Sequence, residues 1–279
     1  MSITSRHNIH QSGCGRPLLF AHGYGCDQNV WRFVAPAFTD THRVVLFDYA
    51  GCGGAAPGSY DFERHRSLAG HADDLIEICD EVGLEDVVLV AHSVSAMVGV
   101  LAARRRPDLF HRLVLLAPSP CYLNVGDYRG GFERDDIDGL LEMLETNHFG
   151  WARMMAPVIM GNGDRPALSR ELEGNFCRVE PQVAKHFASV AFLADQRADL
   201  GGLRVPSLIL QCSDDALAPP TIGSYLQQRM AKSTLVRMKA TGHCPHLSAP
   251  KETIAAIRDY LERSDEFSPA ATAIEAMID

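Results

Sequence analysis

The sequence predicts an α/β fold: a mostly parallel sheet covered by helices on both faces, with a helical insertion between two late strands. Three observations carry this. Short apolar runs recur along the chain, continuous rather than alternating, which marks strands buried on both faces. Helix-compatible stretches separate them, the alternation that builds a parallel sheet. Between residues 122 and 200 the alternation stops and no strand pattern appears.

The first run is Leu18-Leu19-Phe20-Ala21, ending at His22-Gly23-Tyr24-Gly25. The second, Val44 to Asp48, ends at Gly51-Cys52-Gly53-Gly54. Val87 to Val90, Leu113 to Leu116 and Ser207 to Gln211 are the third, fourth and fifth, and Val236-Arg237-Met238 is a weaker sixth. Helical stretches are expected over Leu68 to Val82, Ala96 to Arg105, Ile222 to Ala231 and Thr253 to Arg263. Arg104-Arg105-Arg106 then falls at a helix C-terminus, where cations complement the helix dipole, just before Pro107.

Residues 122–200 are helix-like throughout. Ile137, Leu140, Leu141 and Leu144 stand at helical spacing, and Trp151, Met154, Met155, Phe176, Phe187 and Phe192 add more apolar surface than one helix face needs. The stretch reads as a cap over the sheet, some of its apolar residues lining a pocket. The expected organisation is therefore a core of residues 1–121 and 201–263, a cap of 122–200, and a polar, Ala-rich tail of 264–279, frayed or loosely docked.

Composition narrows the function classes. The chain has 279 residues, 46% of them hydrophobic, enough for a large core. Lysine and arginine total 26 against 35 aspartates and glutamates, a formal charge of −9. That balance argues against a nucleic-acid or anionic-membrane surface. No apolar run is long enough to span a bilayer, and the first residues lack the apolar core of a signal peptide. The eight cysteines are scattered with no Cys-x-x-Cys pair, as expected of free thiols in a reducing cytoplasm.

The chemistry gathers around Ser93. In Val87-Val88-Leu89-Val90-Ala91-His92-Ser93-Val94-Ser95-Ala96 a buried strand runs into a serine between small residues, and a helix follows at once. This strand-turn-helix holds one hydroxyl up at the end of a sheet. A serine alcohol is a weak nucleophile without a base and an acid to orient it. Those partners are expected after later strands, because sites in such sheets collect at the strands' C-terminal ends. Cys212-Ser213-Asp214-Asp215 follows the fifth strand, and Thr241-Gly242-His243-Cys244-Pro245-His246 follows the sixth. The order Ser, Asp, His suits an acyl-transfer triad. Spacing leaves both Asp214 and Asp215 as the acid and both His243 and His246 as the base, with Asp215 and His243 preferred. A metal held by His243, Cys244 and His246 has no further ligand cluster to complete it, so no metal or cofactor is expected. After the first strand, the backbone N–H of Tyr24 pairs naturally with that of Val94 as donors to an oxyanion. Gly51-Cys52-Gly53-Gly54 lacks the pattern of a phosphate loop and reads as a turn.

Taken together, Phe20-Ala-His-Gly-Tyr-Gly-Cys-Asp-Gln-Asn-Val-Trp31, Ala91-His-Ser-Val-Ser-Ala-Met97, Asp127-Tyr-Arg-Gly-Gly-Phe-Glu133 and Gly242-His-Cys-Pro-His-Leu-Ser-Ala-Pro250 resemble the RsbQ-type α/β-hydrolases. That group is similar to the plant strigolactone and karrikin receptors, and the likeness covers about residues 7 to 263. It implies Ser93 as nucleophile, Asp215 as acid and His243 as base, with Asp215-Ala-Leu-Ala-Pro219 matching the family's acid motif. It implies a four-helix cap over an apolar pocket, for which Tyr24, His92, Tyr122, Trp151, Met155 and Phe192 are the expected lining. Two positions depart from wider patterns. Ala91 and Ser95 stand where broader hydrolase elbows carry glycine, and Tyr24 stands where relatives commonly have Phe, its hydroxyl expected at the pocket mouth. The activity implied is hydrolysis of a small, apolar ester or lactone. The resemblance equally implies a signalling role, in which the site senses or generates a small molecule and the cap engages a regulatory protein partner.

Overall fold

The computed structural model describes residues 2–265. Among them, seven strands form one sheet in the order β1-β3-β2-β4-β5-β6-β7. The strands are β1 (His10–Ser12), β2 (Arg16–Ala21), β3 (His42–Leu46), β4 (Val87–His92), β5 (Phe110–Leu116), β6 (Ser207–Gln211) and β7 (Ser233–Arg237). β1 runs antiparallel to β3 and every other pairing is parallel. The six expected strands are present. Their apolar runs are continuous because both sheet faces are covered: Leu19, Val45, Leu89 and Ala91 enter one core cluster, and Leu18, Phe20, Val44, Val88 and Val90 enter the other.

Three details differ from expectation. β1 is His-Gln-Ser, fully exposed and without apolar signal; its register beside β3 at the sheet edge alone makes it a strand. β3 stops at Leu46 rather than Asp48. The Asp48 carboxylate instead accepts from the backbone N–H groups of Gln28 (2.7 Å) and Gly54 (2.8 Å), closing the connection after β3 on itself and tying it to the segment after β2. β7 starts at Ser233, three residues early, because an edge strand tolerates polar, half-exposed residues.

Ten helices lie among the described residues: α1 (Ile3–Arg6), α2 (Leu68–Val82), α3 (Val94–Arg105), α4 (Arg134–Thr146), α5 (His148–Met160), α6 (Pro166–Arg178), α7 (Pro181–Phe192), α8 (Thr221–Arg229), α9 (Pro245–Ser248) and α10 (Pro250–Asp265). Gly83, left-handed at φ 65°, ends α2. Arg104 and Arg105 occupy the last turn of α3 and pair with Asp199 and Asp73. Helices α4 to α7 fill the insertion between β5 and β6. Reciprocal side-chain caps from Glu133 and Asp136 start α4, and prolines open α6 and α7. Of the expected tail, 264 and 265 continue α10, and 266–279 lie outside the described residues.

Candidate active site

Ser93 sits between β4 and α3 at φ 59° and ψ −124°. A non-glycine residue held there stores backbone strain, of order 1–3 kcal/mol. The fold holds it by the Ser93 N–H bond to the Leu116 carbonyl (2.9 Å) in the neighbouring strand. Ser95 has a task of its own: its hydroxyl donates to the carbonyl of His22, joining the elbow to the loop after β2. Gly23 lets that loop come close, since a Cβ there would lie 2.6 Å from the His92 ring. Across the elbow, α3 approaches β4 through Gly99, whose added Cβ would meet Leu89 at 2.6 Å. Close strand–helix packing therefore does not need a glycine at Ala91.

His243 reaches this serine from the loop after β7. His243 Nε2 lies 2.7 Å from Ser93 Oγ, and Nδ1 donates to the Asp215 carboxylate at 2.8 and 3.0 Å. Gly242 aims the ring. It adopts φ 77°, and a Cβ would fall 1.9 Å from the Met160 carbonyl, so only glycine fits. The N–H groups of Gly242 and His243 then bond to the carbonyls of Asp214 (2.6 Å) and Ile159 (2.8 Å). Asp215 is buried, and its Oδ1 also accepts from the N–H groups of Leu217 and Ala218 at 2.9 and 3.1 Å. Burial works to raise this carboxyl, but His243 and the two backbone donors outweigh it and hold it below its ordinary value. Asp214 is exposed and contributes its carbonyl, not its carboxylate.

His246 does not compete for the serine. Its ring is buried against Trp31 (4.7 Å) and His92 (4.4 Å), and burial pushes its pKa well below the usual histidine value. His92 Nε2 donates to the His243 carbonyl at 2.8 Å. Burial, with His243 adding to it, lowers His92 to about 3, so its ring is a neutral brace beneath the His243 loop. Among the described residues no group of three or more His, Cys, Asp or Glu side chains is placed to hold a metal.

A small cavity lies over Ser93. Of the residues expected as its lining, Tyr24, His92, Tyr122 and Phe192 stand around it, together with Val94, which was expected as an oxyanion donor. Val94 opens α3, where the first N–H groups of a helix have no intrahelical acceptor. The Tyr122 hydroxyl is 3.4 Å from Ser93 Oγ, and burial raises its pKa to about 12, keeping its proton. Two expected residues stand back from the cavity. Trp151 and Met155 are buried in the apolar cluster behind it, and α5 presents Ile159 instead. The Tyr24 hydroxyl also departs from expectation: it turns away from the mouth and donates to the Ala184 carbonyl of α7 at 2.9 Å. Sequence reading named Phe176 only among the apolar residues of the cap, and did not name Leu172 or Ala191, as lining. Leu172 and Phe176 stand four apart on α6, a spacing that marks a shared helix face but not what the face covers.

A profile described as "Alpha/beta hydrolase family" matches residues 18–257. The chain is 38% identical over 267 residues to "Strigolactone esterase D14" of Arabidopsis thaliana, covering 93% of this chain and 100% of that one. It is 37% identical to "Karrikin insensitive 2 receptor CA" of Petunia hybrida, with 90% and 94% covered. A solved hydrolase from Oleispira antarctica superposes with a TM-score of 0.91 at 37% identity, covering 93% of this chain and 96% of that one. Among the described residues no helix is long and apolar enough to cross a membrane.

Proposed function

This chain belongs to the alpha/beta hydrolase family, and from that premise we propose that it cleaves a small, apolar ester or lactone through an acyl-enzyme on Ser93. One observation carries the reading: His243 spans Ser93 at 2.7 Å and Asp215 at 2.8 Å with its two ring nitrogens. Asp215 fixes Nδ1 as the protonated nitrogen, which leaves the Nε2 lone pair facing the serine hydroxyl. Ser93 Oγ attacks the carbonyl carbon as His243 takes its proton. The N–H groups of Tyr24 and Val94 receive the oxyanion. His243 then protonates the leaving alkoxide, and water repeats the sequence in reverse to release the acid and free Ser93. The Tyr122 hydroxyl, fixed in its protonated form, is placed to orient the substrate oxygen. Relatives named as esterases support the same chemistry.

Turnover of p-nitrophenyl acetate by wild type and Ser93→Ala tests this; equal rates overturn it. A second reading is signalling, supported by relatives named as receptors and by Phe149, Met154 and Val158, large apolar residues that α5 leaves exposed. In that reading the helical insertion carries a regulatory protein partner. Pull-down with wild type and a Phe149→Ser/Val158→Ser variant is the check, identical captures counting against it. The eight cysteines are free thiols, which supports a cytoplasmic setting.

A further inference from the structure

We propose that the site accepts only a small acyl group, of acetyl to butyryl size, and that Leu172 and Phe176 of α6 set the limit. The inference rests on the serine-hydrolase reading above and names its substrate class. The cavity over Ser93 measures about 30 Å³. One water needs roughly 10–15 Å³ by the same measure, whereas sites for drug-sized ligands run to about 300–1,000 Å³.

The cavity is small because its wall is packed, not because a side chain has drifted into it. Phe176 is buried at the cavity and packs within an aromatic cluster, its ring 6.0 Å from that of Tyr24 and 5.3 Å from that of Trp151. It reaches that place over bare backbone: a Cβ on Gly25 would lie 2.5 Å from the Phe176 ring. Leu172, one turn earlier on α6, fills the space beside it and is buried too. The helix carrying both residues is pinned along its length to the segment after β2. Arg32 grips Glu171 through both guanidinium nitrogens at 2.6 and 2.7 Å, and Arg178 pairs with Asp27 at 3.1 Å. On the adjoining side, the Tyr24 hydroxyl ties the same segment to α7. Lengthening the acyl chain therefore means displacing a braced helix or forcing rings off their rotamers.

The test is a p-nitrophenyl ester series of acetate, butyrate, hexanoate and octanoate. For wild type, kcat/KM is expected to fall about tenfold or more between butyrate and octanoate. Leu172→Ala and Phe176→Leu are each expected to raise the octanoate-to-acetate ratio about tenfold. A ratio is unaffected by any loss of folded protein. Wild-type hydrolysis of octanoate as efficient as that of acetate, and dependent on Ser93, overturns the size limit alone. Unchanged ratios in both variants overturn the assignment to Leu172 and Phe176. Hydrolysis of acetate equal in wild type and Ser93→Ala overturns the hydrolase reading and this inference with it.

Discussion

His243 and His65 each hold a buried carboxylate at 2.8 Å, Asp215 in one case and Asp74 in the other. Judged by that pair alone, the two sites are alike. They differ at the other ring nitrogen. His65 Nδ1 accepts the backbone N–H of Asp61 at 3.1 Å, so its lone pair is spent within the fold. Asp74 is further neutralised by Arg6 (2.6 Å) and Arg64 (2.7 Å), and the His65 ring packs at a tilt against His71, 4.7 Å between centroids. His243 keeps its Nε2 for the hydroxyl of a strained serine that faces a cavity. A histidine–carboxylate pair thus becomes a base only where the second nitrogen is left for a reactant. The Asp74 pair instead braces α1 and the loop before α2 against α2.

The largest expected contrast is catalytic. Ser93→Ala should lower p-nitrophenyl acetate turnover by about 10⁴ or more, and Asp215→Asn by a similar factor, because the amide favours the wrong His243 tautomer. Asp74→Asn should leave kcat within about threefold while lowering unfolding free energy by roughly 3 kcal/mol, since Arg6, Arg64 and His65 lose their shared anion. Urea titration beside steady-state kinetics measures both. A catalytic collapse in Asp74→Asn would break the comparison.

Acid should strain both regions. Burial lowers His71 and His92 to about 3, and also holds His246 well below its ordinary value, against about 6.5 unfolded. The unfolded chain therefore binds protons that the folded chain refuses as pH falls from about 6.5 towards 3. Stability should drop across that window by up to about 1.4 kcal/mol per pH unit for each ring. Both His71 ring nitrogens are buried without a hydrogen bond, so His71→Phe should flatten the pH dependence of Tm; an unchanged slope would remove His71 from the account. The smallest effect is expected from Tyr24→Phe: about 1 kcal/mol for the lost bond to Ala184, and a modest rise in the octanoate-to-acetate ratio. A fully stable variant with unaltered selectivity would show that this tie does not hold the wall.

The strands carrying the site were legible because both their faces are buried, which writes continuous apolar runs into the chain. β1 wrote no such signal, being three polar residues held by register at an edge. The His65–Asp74 pair was equally silent, since residues nine apart become partners only once a loop and a helix have packed.

Sequence by itself determined the α/β alternation, the serine on its elbow and the order of acid and base after later strands. These follow from local propensity and chain order, which each segment carries alone. Tertiary structure decided which aspartate is buried, where the Tyr24 hydroxyl goes, and that Leu172 and Phe176, rather than Trp151 and Met155, line the cavity over Ser93. A helix states which of its faces is apolar, but the partner for that face is fixed only when the elements pack together.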